Sequence, residues 1–244
     1  MYEYYIFSIL AILLCGALGA WASAKVNRAY RAYSGIATSS RMTGYDTAKR
    51  LLSANKIKDI SIGRVKGRLT DHYHPKKKIV NLSEGVYGDN SIAAVAVAAH
   101  EIGHVVQKKK GYLFYKIRTA LVPITNFGSR LAIPLVLVGL LLDIAVGFTQ
   151  EVTLGYTLAM VGVALYGLST LFSLITLPVE LNASKRAKKM LVAQGIITEE
   201  ELPYADQMLD AAAMTYVASL LTSLIYFLRF FIWVLILFGG RREK

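Results

Sequence analysis

Four stretches of the chain, residues 4–24, 131–148, 153–177 and 211–238, are apolar over close to the roughly 20 residues that an α-helix needs to cross the hydrocarbon layer of a bilayer. Nothing else in the sequence constrains the fold as strongly. Inside lipid the backbone must satisfy its own N–H and C=O groups, so runs of this length fold as helices. With 55% of its 244 residues hydrophobic, the chain is read as a mainly α, multi-span membrane protein. The first run ends in "GAWASA", which looks like a signal-peptide cleavage site. A signal peptide opens with positive charge, however, whereas "MYEYY" offers only Glu3 and the basic residues follow the run. An uncleaved anchor is therefore expected. Cys15, the single cysteine, lies within it; no disulfide framework is available, and a small apolar filler is its expected role.

A net charge of +12 raises nucleic acid as a partner, but the placement of the basic residues argues for a membrane instead. Twenty of the 28 Lys and Arg fall within residues 25–130 and four more within 185–189, while the link at 149–152 has none. By the positive-inside rule, residues 25–130 and 178–210 face the cytoplasm and the amino terminus lies outside. A fourth crossing would carry the basic tail 241–244 outside, and Arg229 interrupts the last run. That run is read as a crossing or a re-entrant helix, with Arg229 snorkelling or meeting a lipid phosphate. Asp143 is expected at the outer interface. These two charges are thin support for a transporter.

Between the first two runs, "TGYDTAKRLLS" predicts a short helix behind a threonine or aspartate cap. "IKDISIGRV", "GRLT" and "KIVNLS" are short, alternating and rich in β-branched residues, and predict a small hairpin or three-stranded sheet with "DHYHPKK" as turn material. "GDNS" is a stop followed by a cap, so Ser91 should start the next helix.

That helix carries "AVAVAAHEIGHVVQKKK", in which two histidines and a glutamate interrupt small and aliphatic residues. Buried imidazole and carboxylate groups need partners. His100-Glu101-Ile102-Gly103-His104 fits the H-E-x-x-H pattern, whose histidines rise on one helical face and can both reach one zinc ion, with Glu101 placed to act on water. The competing view makes His100 and His104 core histidines bonded to backbone carbonyls. A catalytic zinc takes three protein ligands and keeps one open position, so a third ligand is required. Asp143 and Glu151 fall in or beyond the membrane, and Glu199, Glu200 and Glu201 form an acidic cluster typical of a solvated helix start. Glu180 remains the best acid, in the first turn of a helix begun by Pro178. His72 and His74, in the turn material, are its rivals. Lys108, Lys109 and Lys110 are expected against anionic headgroups.

The segments "AAHEIGHVVQ", "LPVELNASKRA", "DHYHP", "NLSEGVYGDNSIAAVAVAAHE" and "DAAAMTYVA", spread over about residues 43–218, resemble the YugP-type neutral zinc metallopeptidases of bacterial membranes, distant relatives of the HtpX-like membrane proteases. The family's usual aspartates are replaced here by His74 and Asn182. The resemblance implies that His100, His104 and Glu180 bind zinc in a gluzincin-type site and that Glu101 is the catalytic acid or base. Ser184 stands where HtpX-like proteases have an aspartate, which implies a bond to a ligating histidine. Tyr216 or His72 could donate to the developing oxyanion, Tyr216 being equally readable as an interface-belt tyrosine.

Together these readings give a zincin-like metallopeptidase part with a small β-hairpin or sheet at the cytoplasmic surface of the inner (plasma) membrane. Residues 1–24 form the first membrane helix, 25–118 the cytoplasmic part with the motif, 119–177 the second and third spans, 178–210 the segment with the third ligand, and 211–244 the last helix and tail. The expected activity is zinc-dependent peptide-bond hydrolysis, with membrane proteins or peptides as substrates, the bilayer and a second copy or another membrane protein as partners, and no nucleic acid. The alternative is a non-catalytic, zinc-stabilised membrane adaptor.

Overall fold

The computed structural model of the chain describes residues 2–146 and 153–239. The readings made above for the link at 149–152, for Glu151 and for the tail 241–244 lie outside the described residues. In order, the elements are α1 (Tyr2–Tyr33), α2 (Gly44–Ala54), β1 (Ser61–Val65), β2 (His72–His74), β3 (Ile79–Ser83), α3 (Glu84–Tyr87), α4 (Ile92–Lys109), α5 (Leu113–Ala145), α6 (Leu154–Ala193) and α7 (Leu202–Gly239). Helices α1, α5, α6 and α7 are each long and apolar enough to cross a membrane. The mainly α, multi-span architecture with a small sheet is thus the observed one. α7 continues unbroken past Arg229, which lines a cavity of about 330 Å³ with Tyr166, Tyr226 and Trp233.

The chain divides into two compact units. The first comprises Met1–Gly19, Ile117–Thr176 and Val217–Lys244. Small residues let its helices touch: a Cβ at Gly139 of α5 would collide with the carbonyl oxygen of Gly155 on α6. Val136, Ala159, Val163, Val234 and Phe238 form the core around that contact. Asp143, expected at the interface, is buried. It accepts a hydrogen bond from the Thr153 hydroxyl, whose oxygen in turn caps α6 by accepting the Tyr156 N–H at 3.0 Å. The acid is consumed by a helix start.

The second unit comprises Ala20–Lys116 and Leu177–Tyr216 and holds every candidate site residue. α2 begins in a capping box, in which Thr43 Oγ1 accepts the Asp46 N–H at 3.1 Å and the Asp46 carboxylate accepts the Thr43 N–H at 3.2 Å. Its Ala48, Leu51 and Leu52 pack with Val80 and Leu82 of β3, Val86 of α3 and the apolar body of α4.

The sheet has the order β1-β3-β2, with β1 parallel and β2 antiparallel to β3. Two details of its sequence reading are corrected. "GRLT" is not a strand, because Gly67 and Leu69 take φ of 104° and 54°, values incompatible with extended backbone. The third strand is instead His72–His74, within the segment read as turn, where His72, Tyr73 and His74 pair with Asn81, Val80 and Ile79. The turn is confined to the residues after it. Pro178 does not begin a helix either; it lies inside α6, an unbroken helix in which Glu180 is an interior residue. Of the lysine run, Lys108 donates to the Pro75 carbonyl at 2.8 Å and Lys109 to Asp59 at 2.6 Å.

At Gly44 an added Cβ would collide with the carbonyl oxygen of Val86. Gly44→Ala is expected to cost about 1–3 kcal/mol through this overpacking, read as a lower midpoint of thermal unfolding in detergent, whereas Lys49→Ala on the exposed face of α2 should leave the midpoint unchanged.

Candidate metal centre

α4 is apolar nearly all round and is buried over most of its surface from Ile92 to Gln107. Ser91 starts it, its hydroxyl oxygen accepting the Ala94 N–H at 3.2 Å. His100 and His104, four residues apart, share a face, and their rings meet edge to face with centroids 4.7 Å apart. Gly103 lets α6 approach them. A Cβ there would stand 2.6 Å from the carbonyl oxygen of Ala183 and 3.1 Å from its Cα, so the two helices touch backbone to backbone.

Glu180, one turn before Ala183, is thereby brought to the histidines. Its Oε2 lies 3.2 Å from His100 Nε2 and 3.3 Å from His104 Nε2. Among the described residues, these three form the one group of His, Cys, Asp and Glu side chains whose ligand atoms all lie within 4.8 Å of one another and could hold a metal ion. Atoms about 2.0–2.1 Å from a tetrahedral zinc lie about 3.3–3.4 Å from each other. The spacing and the donor set, two imidazole nitrogens and one carboxylate, both fit that ion. Burial opposes ionisation of Glu180, but hydrogen bonds and charge from the two imidazoles outweigh it and hold the carboxyl well below the usual carboxylate range.

The outer ring nitrogens are also engaged. His100 Nδ1 is 3.1 Å from Ser184 Oγ, and His104 Nδ1 is 3.0 Å from Gln107 Oε1. Gln107 Nε2 donates to the Val179 carbonyl at 2.7 Å and to Asn182 Oδ1 at 3.0 Å, and Asn182 Oδ1 also accepts from Arg186 Nε at 2.7 Å. Asn182 thus provides an acceptor oxygen where the resembled pattern has an aspartate.

Glu101 leaves α4 on another side and is only 8% exposed. Burial pushes its carboxyl up to about 7; His100 opposes the rise, Glu180 and Asp71 add to it, and the backbone N–H of Tyr73 on β2 opposes it by hydrogen bonding. A cavity of about 200 Å³ opens beside it, lined also by His100, Val97, Met208, Tyr216 and Asp71. Asp71 is held by Ser83, whose N–H donates at 2.7 Å and whose hydroxyl donates at 2.9 Å; burial pushes its carboxyl up as well.

His72 and His74 stand apart from the cluster. His72 Nε2 is 3.1 Å from Asn81 Nδ2 and its Nδ1 is 2.9 Å from the Thr70 carbonyl, while His74 Nδ1 accepts the Lys77 N–H at 3.2 Å. Three residues of the site were not singled out from the sequence: Gln107, Asp71 and Gly103. Gln107 follows His104 by three residues, so helical spacing alone put it on the same face. Gly103 sits inside the motif, where a glycine in a buried helix signals close approach. Asp71 offered no signal, since its partner Ser83 is defined by strand register.

The family described as "Putative neutral zinc metallopeptidase" matches residues 4–235 of the chain. The protein described as "Putative membrane protease YugP" from Bacillus subtilis (strain 168) is 41% identical over 239 residues, covering 98% of this chain and 100% of that relative. No solved structure matches.

Removal of the carboxylate in Glu180→Ala is expected to strip zinc from the purified protein, as read by metal analysis, while His74→Ala retains it. Gly103→Ala should weaken zinc binding by about tenfold or more, because it drives α4 and α6 apart at the ligands.

Proposed function

The chain belongs to the neutral zinc metallopeptidase family, and from that premise we propose that it is a membrane-embedded endopeptidase of gluzincin type, cutting membrane proteins or emerging chain segments at the cytoplasmic face of the plasma membrane. The observation that carries the proposal is the convergence of His100, His104 and Glu180 on one point with Glu101 buried alongside. The first three side chains would hold zinc, which when bound supplies Lewis acidity toward a water and a substrate carbonyl. Glu101 takes the proton of the attacking water and delivers it to the departing amine. Of the two further donors considered for the carbonyl oxygen as its charge grows, Tyr216 lines the cavity beside Glu101. Both ring nitrogens of His72 are bonded to Thr70 and Asn81. Tyr216 is therefore the better choice.

β2 is an edge strand of the sheet, and its Tyr73 packs against the core that includes α4, the helix bearing Glu101. An extended substrate segment adding to that edge runs past the catalytic carboxylate. Support for action close to the bilayer comes from chain distance: Glu180 follows the third apolar run by three residues, and α5 begins four residues after α4 ends. Sidedness rests on the twenty basic residues within 25–130.

Glu101→Gln is expected to keep zinc and lose cleavage by about 10²- to 10⁴-fold, and to retain substrates that proteomics identifies as membrane proteins. A Glu101→Gln protein that behaves like the parent throughout would point to a zinc-stabilised adaptor instead. Lys76→Cys should be labelled by an impermeant reagent in inverted vesicles and not in intact cells; labelling of intact cells would reverse the sidedness.

A further inference from the structure

We infer that Gln107 is a positioning residue for the metal centre, fixing which nitrogen of His104 carries the proton and tying that ring to the helix that bears Glu180. The inference rests on the reading of His104 as a ligand. Its first step is the orientation of a fully buried amide. The Val179 carbonyl, 2.7 Å from one end of that amide, can only accept, so the NH₂ group must face it and Oε1 must face His104 Nδ1 at 3.0 Å. An amide oxygen cannot donate. His104 Nδ1 therefore carries hydrogen, and the ring's Nε2, 3.3 Å from Glu180 Oε2, is the nitrogen offered to a metal.

The opposite tautomer would set two lone pairs against each other between two buried side chains, leaving both acceptors unsatisfied. Ser184 imposes no such condition on His100. Its hydroxyl, 3.1 Å from His100 Nδ1, can donate or accept. The asymmetry makes Gln107 the residue that fixes the tautomer of His104, the one ring of the pair whose outer nitrogen faces an obligate acceptor.

Gln107 also spans the two ligand helices. Three residues past His104 on α4, it donates to the carbonyl of Val179, the residue immediately before Glu180 on α6, and to Asn182 two residues after it. The same side chain thus orients one ligand and is bonded on both sides of another, to the Val179 carbonyl before it and to the Asn182 side chain after it.

The chain has four histidines, so histidine-selective ¹⁵N labelling of the full-length protein in detergent yields four ring systems. A slowly exchanging Nδ1–H proton on His104 is expected with and without zinc. In Gln107→Met, of similar length but only a weak acceptor, that proton should exchange with water, and the zinc dissociation constant from chelator competition should rise about 10–100-fold, with the helical circular dichroism signal kept. A wild-type His104 without a protected Nδ1–H proton would overturn the inference, as would a folded Gln107→Met that binds zinc within twofold of wild type. If Gln107→Met does not fold, the wild-type resonance still decides. Failure of the wild-type protein to bind zinc would remove the proposed function while leaving the resonance to judge Gln107.

Discussion

The site depends on a contact that involves no ligand at all, the meeting of α4 and α6 where Gly103 faces the backbone of Ala183. His100 and Glu180 are 80 residues apart in the chain, and their side chains meet because the two helix backbones touch. A methyl group at position 103 would stand 2.6 Å from the carbonyl oxygen of Ala183, too close for the two backbones to keep their contact. The rest of the second unit keeps that contact rigid. α4 is enclosed by α2, α3, the sheet and the part of α6 that follows Glu180, and its cap at Ser91 fixes where the helix begins and so the angular position of every later residue.

Rigid enclosure makes polar groups expensive, and the site answers with near-complete pairing. A buried donor or acceptor without a partner costs more than a typical hydrogen bond contributes, so each group here stands opposite a second one. Asp71 is taken up by Ser83, the histidines by Ser184 and Gln107, and Gln107 by Val179 and Asn182. Glu101 differs in lining a cavity. Its carboxyl is raised by burial, as suits a group that exchanges protons near neutrality.

Features that depend on local chain chemistry could be read from the sequence. The apolar runs announce α1, α5, α6 and α7, Thr43 and Ser91 announce helix starts, and the four-residue spacing of His100 and His104 places both on one face. Features that depend on distant pairing could not. Strand β2 was hidden because "DHYHP" has the composition of a turn, and only the register of His72–His74 on Ile79–Asn81 makes it a strand. Pro178 suggested a boundary, since proline cannot donate to the helix ladder, yet α6 continues through it. Gln107 showed the right spacing but not its role, which arises from a carbonyl 72 residues away.

Asn182 has a consequence for how the site responds to its surroundings. Its Oδ1 receives both Arg186 Nε and Gln107 Nε2. A carboxylate in that place could take up a proton and turn from acceptor to donor, reversing the hydrogen bonds that lead inward to His104. An amide has no such second state, and a guanidinium stays charged across the biological range. Arg186 and Gln107 therefore both keep donating to Asn182 Oδ1 at every pH the fold survives, which leaves acidity to be sensed by the carboxylates and imidazoles alone.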